Sequence, residues 1–202
     1  QDCTCPPPHR RPAWPLYLAA FAIAAVVAGA VGEAFSGGSL AELGIPDPGA
    51  ATTVGLPALR GVAWLLMALA TGSFLLSAFL IPPKQTQEDL NGARLTVDGH
   101  LASRTGAHAS AGIALIGLAM IPLVLSDVSG QPLKTVLFEA AAWSQALDQV
   151  ADARVWLIVA VFAAVVAAFA YTATSWWSQV WLFVGAIVVV MPIALTGHSA
   201  TG

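Results

Sequence analysis

The chain has 202 residues, of which 9 % are charged and 57 % hydrophobic, with a net charge of -3. A soluble domain carries about 25 % charged residues, so this composition excludes one and specifies a polytopic membrane protein. So few ionisable groups form no basic patch, which excludes nucleic acid as a partner and leaves the lipid bilayer as the first one.

Residues 1–13 form a Pro-rich tail that begins with Gln1, and Arg10 and Arg11 precede the first apolar stretch. That stretch is about 20 residues long, which suits a retained helix better than a cleaved signal peptide. Within the tail, Cys3, Cys5 and His9 offer a thiolate site for Cu(I). A mobile terminus without a metal role is the competing reading of the same residues.

Apolar windows recur five times, at Trp14–Ala34, Pro57–Ile81, His108–Leu125, Val155–Thr172 and Trp176–Thr196. Each is long enough to cross a hydrocarbon core of about 30 Å. Unsatisfied backbone groups are too costly there, so each crossing is expected to be helical. The predicted fold is all-α: a membrane bundle over residues 14–202 with five transmembrane helices and an amphipathic helix in an outer loop.

Orientation follows from the basic residues. A cytoplasmic N-terminus puts Arg10, Arg11, Lys84, Arg94 and Arg104 inside and only Arg60, Lys134 and Arg154 outside, which favours N-in, C-out. Phe35 to Leu56 reads as an irregular outer loop, and Pro82 to Gly106 as a charged inner connector. Between the third and fourth helices, Val136, Ala140, Trp143, Leu147 and Val150 recur at helical spacing and predict the amphipathic outer helix. Small residues four apart, Ala28/Gly32, Ala68/Gly72 and Ala160/Ala164/Ala168, predict close helix packing.

On this topology Glu33, Arg60, Asp127, Arg154 and His198 all approach the outer ends of their helices, forming an outer-face polar cluster. Such charges either pair and snorkel, as Glu33 with Arg60 would, or line a ligand route. His198 has two readings, an interfacial side chain or a copper ligand that needs further donors from elsewhere. Pro122 and Pro192 lie close below the outer ends of their helices, where bends would open a vestibule, although proline is also ordinary in membrane helices. Haem is not expected, because His108 and His198 fall at opposite depths. Nor does any motif for nucleophilic, phosphate or zinc-protease chemistry appear, so no enzymatic activity is expected.

The chain resembles the N-terminal part of actinobacterial membrane proteins in which a copper resistance D (CopD) domain is fused to a CtaG-type cytochrome oxidase assembly domain. The resemblance covers roughly Leu56 to Gly202. It rests on Leu59-Arg60-Gly61, Gly72 through Pro82-Pro83, Ser129-Gly130-Gln131-Pro132-Leu133, Arg154-Val155-Trp156-Leu157 and Pro192-Ile193-Ala194-Leu195-Thr196-Gly197-His198. It implies copper as cargo, passage of copper at the membrane and its supply to cytochrome oxidase. It also implies an extracytoplasmic copper donor as a partner, and further helices beyond Gly202. A second reading is a structural accessory subunit or assembly factor of a respiratory (cytochrome oxidase) complex or supercomplex, docked through the small-residue faces.

Overall fold

A computed structural model describes residues 14–36, 49–82, 94–138 and 140–199, and these described residues form a bundle of seven α-helices. They are α1 (Trp14–Ser36), α2 (Ala50–Leu75), α3 (Val97–Ser129), α4 (Leu133–Phe138), α5 (Ala140–Gln149), α6 (Ala151–Thr172) and α7 (Trp176–Ser199). Five of them, α1, α2, α3, α6 and α7, are long and apolar enough to span a membrane, as the hydropathy pattern predicts.

Consecutive long helices run antiparallel, which gives the bundle two ends. The upper end holds Ser36, Ala50, Ser129, Ala151 and Ser199; the lower end holds Trp14, Leu80, Val97, Thr172 and Trp176. Helices α2, α3, α6 and α7 close a ring in which each packs on its two neighbours, and α1 packs on α2 from outside. The core of the ring is made by Met67, Phe74, Ile113, Met120, Trp156, Val159 and Leu182.

Small residues set the spacing of this ring. Gly117 of α3 lies against Ala160 and the carbonyl of Trp156 on α6, and Gly106 lies under the ring of Phe74. On α1, Gly32 faces Pro57 and Ala28 meets Gly61, so the predicted Ala28/Gly32 stripe is the one that packs. On α6 the buried stripe is Ala160, Ala163, Ala167 and Ala170, and the predicted Ala164 and Ala168 face outward.

Two helix starts and the outer connection differ from the hydropathy reading. Helix α2 starts at Ala50 rather than Pro57, and Pro57 sits inside it, packed against Gly32. Helix α3 starts at Val97, about three turns before the predicted His108, with Thr96 as its cap accepting from the Gly99 N–H at 3.3 Å. Its 33 residues measure roughly 50 Å, more than the hydrocarbon needs, so the first turns carry Asp98, His100 and Arg104 without leaving the helix. The outer connection folds as two short helices, α4 and α5, rather than one. Val136 is buried and its carbonyl accepts from Trp143 Nε1 at 3.2 Å, which ties α5 to α4.

Helix α2 ends in one π-helical turn, Leu76–Leu80, closed by the Ile81 N–H donating to the Leu76 carbonyl at 3.0 Å. Ser77 donates from inside this turn to the Gly99 carbonyl at 2.9 Å, and Trp176 Nε1 donates to the Ala78 carbonyl at 2.8 Å. The widened turn therefore ties α2 to both α3 and α7 at the lower end.

Candidate functional site

At the upper end, the first turn of α6 places Asp152 where its Oδ2 accepts from Arg60 Nη2 of α2 at 3.1 Å. The pair bridges non-adjacent helices of the ring and is about half-exposed, at 44 % and 48 % for the two side chains. Beside it Thr52 and Ser126, both buried, lie 2.8 Å apart. Because the single Ser126 proton goes to the Gln131 carbonyl at 2.7 Å, Thr52 is the donor of that contact.

Of the sequence-predicted cluster, Glu33 lies on the last turn of α1 and His198 on the last turn of α7, both at this end, and their side chains lie outside the described residues. Asp127 on the last turn of α3 and Arg154 on the first turn of α6 are exposed and, among the described residues, have no ion-pair partner. Each opposes its own helix dipole, so neither is there to stabilise the helix that carries it. Cys3, Cys5 and His9 lie outside the described residues.

Below the upper end, the seam between α2 and α7 opens. At its lower part the helices are tied by the Trp176–Ala78 hydrogen bond and by Phe79 edge-on to Phe183, with ring centroids 5.6 Å apart. Higher up lies a groove of about 490 Å³, lined from α2 by Trp64, Met67 and Thr71 and from α7 by Ile187, Met191 and Ala194. Two of the three methionines of the chain face this one groove. Met67 and Thr71 also border a much smaller inner space with Ser110, Ile113 and Ala186.

The antiparallel register relates the groove to the upper end. His198 is four residues beyond Ala194 and Arg60 four residues before Trp64, so their backbones lie at one level, about 6 Å above the groove's upper rim. Positions 187, 191, 194 and 198 also form one stripe of α7 at helical spacing.

The lower end holds polar groups that the sequence reading assigned to a solvated connector or passed over. The Arg104 guanidinium lies over the Tyr171 ring at 5.4 Å, and its Nε donates to His100 Nε2 at 3.4 Å. His108 sits edge-on to Tyr171 at 5.5 Å between centroids, and its Nδ1 donates to the Arg104 carbonyl at 2.6 Å. The i, i+4, i+8 spacing of His100, Arg104 and His108 is the signal that would have found this stripe. Deeper, the Gln179 amide and the Ser103 hydroxyl are fully buried and, among the described residues, lack a hydrogen-bond partner.

Among the described residues no three His, Cys, Asp or Glu side chains come together to hold a metal. The soft donors that do share a space are the thioethers of Met67 and Met191. Five spanning helices, a four-helix ring and a polar upper end define a multi-pass α-helical membrane protein. Residues 50–202 match the family described as copper resistance protein D-like, N-terminal domain, and the chain belongs to that family. The match starts at the first residue of α2, so α1 lies outside it. Comparison with curated proteins and with solved structures gives no match.

Proposed function

We propose that this chain is a non-enzymatic copper-handling membrane protein that receives copper at the upper end near His198, on the outer face, and passes it on. We further propose that the copper supports metallation of cytochrome oxidase. The observation that carries the reading is membership of the copper resistance D-like family over all of the chain from α2 onward. The upper end supports it with an imidazole-bearing turn at the level of the Arg60–Asp152 pair, above a groove that contains soft donors. In the orientation we favour, the lower end with Arg94 and Arg104 is cytoplasmic.

The test is copper binding by the purified full-length protein, together with copper uptake and oxidase metallation in cells carrying His198→Ala. Reduced uptake and under-metallated oxidase are expected. A protein that binds no copper, with both cellular readouts unchanged in the variant, would refute the proposal.

A second reading, a structural accessory subunit of a respiratory complex, is favoured by α1. This helix lies outside the family match and packs on α2 from outside the ring, so its other side, with Leu16, Ile23, Val26 and Val27, faces lipid or a neighbouring helix. Recovery at fixed stoichiometry with an oxidase complex, without copper, would select it.

A further inference from the structure

We propose that the α2/α7 groove is a membrane-embedded Cu(I) site whose ligands are the thioethers of Met67 and Met191. The inference rests on the copper reading given above and names the oxidation state and the donors. It starts from chemistry. Within the membrane-spanning part of this seam there is no imidazole, thiolate or carboxylate, so a cation that needs hard or charged ligands finds none. Cu(I) is the ion that accepts neutral thioether sulfur, and its single charge makes it the least costly copper species to hold in apolar surroundings.

The two methionines differ in a way that suits capture and retention. Met191 is 57 % exposed, on the same stripe of α7 as position 198 and two turns below it, so its flexible side chain can meet an ion descending from the upper end. Met67 is 3 % exposed and borders both the groove and the inner space with Ser110, so it is held by packing and forms the inner wall of the site. Thr71, one turn below Met67, adds a hydroxyl oxygen on the same wall. The third methionine, Met120, is fully buried in the core away from the groove, where it acts as ordinary packing and supplies an internal control. No redox step is involved, since copper arrives and leaves as Cu(I).

The experiment uses the full chain carrying Cys3→Ser and Cys5→Ser, so that no thiolate can supply sulfur, in lipid nanodiscs under anaerobic reducing conditions. Cu(I) is titrated against a chromophoric Cu(I) chelator, and the bound metal is examined by X-ray absorption at the copper edge. Sulfur scattering from the bound Cu(I) is expected. Met67→Leu and Met191→Leu should each weaken Cu(I) at least about tenfold, and together they should remove the sulfur signal. Met120→Leu should change neither. Leucine is close to methionine in volume, and an unchanged gel-filtration profile confirms that the variants fold. Sulfur coordination that survives in the double variant overturns the inference. So does Cu(I) held by nitrogen and oxygen only, or a groove filled by a retained lipid chain with copper bound elsewhere; both leave the copper reading intact. Failure of every form to bind copper overturns the copper reading itself.

Discussion

Gly117→Ala tests a close backbone contact between α3 and α6. A Cβ at position 117 would lie 2.9 Å from the Ala160 Cβ, 3.1 Å from the Trp156 carbonyl oxygen and 3.2 Å from the Ala160 Cα. All three atoms belong to the backbone of α6 or its first side-chain carbon, so none can rotate aside, and α3 must move away from α6. Overpacking of this kind costs about 1–3 kcal/mol. Replacing a helical glycine by alanine gains about 0.5–1 kcal/mol in the opposite direction. The net expectation is a loss of about 1–2 kcal/mol. Gly72→Ala is the matched control, since a Cβ there meets nothing within 4 Å and only the helical gain of about 0.5–1 kcal/mol remains. Reversible unfolding of the purified protein in mixed micelles should separate the two variants by about 2 kcal/mol, with wild type between them. Equal stability of the two would show that α3 and α6 do not meet at Gly117, and the ring arrangement would fall with it.

Gln179→Leu removes two buried polar atoms that lack partners and should raise stability in the same assay by about 1–3 kcal/mol. A loss instead would show that the amide is satisfied by something bound within the bundle. For the half-exposed Arg60–Asp152 pair, a double-mutant cycle to alanine should give a coupling below about 1 kcal/mol. A coupling of about 2 kcal/mol or more would mean that lipid shields the pair from water. Topology is tested by single cysteines in the chain carrying Cys3→Ser and Cys5→Ser. Asp127→Cys should react with a membrane-impermeant maleimide in intact cells and His100→Cys only after permeabilisation, and the reverse pattern would refute N-in, C-out.

The number and type of the spanning helices were legible because hydropathy over about 20 residues reports depth in a bilayer, and only helices satisfy the backbone there. The starts of α2 and α3 were not, for the same reason. The turns Val97–Ala107 of α3 are helical but polar, and Ala50–Leu56 of α2 are helical but rich in Thr and Gly, so neither reads as apolar. The choice of packing stripe was legible on α1, where Gly29 and Gly32 mark the face of closest approach, and failed on α6, which has no glycine. There alanines recur at 160, 163, 164, 167, 168 and 170 and present several equivalent small faces. Burial separates them, with 163 and 167 inward and 164 and 168 outward.

For the candidate site, topology reports level but not azimuth. The depth of Glu33, Arg60, Asp127, Arg154 and His198 follows from which end of a helix each occupies, and the backbone places all five towards the upper end. What a residue faces depends on rotation about the helix axis and on which helices become neighbours. Arg60 illustrates the difference. The sequence offers Glu33 as its partner, whose side chain lies outside the described residues; among the described residues its carboxylate partner is Asp152, 92 residues away, because the ring brings the first turn of α6 within reach of α2. Met67 and Met191 carry the same lesson further. Each reads as one more apolar residue in its own helix, and only the packing of α2 against α7 makes them face one groove. A soft-metal site assembled from thioethers on separate membrane helices has no spacing signature, unlike paired histidines or cysteines on one segment, and is invisible until the helix order is known.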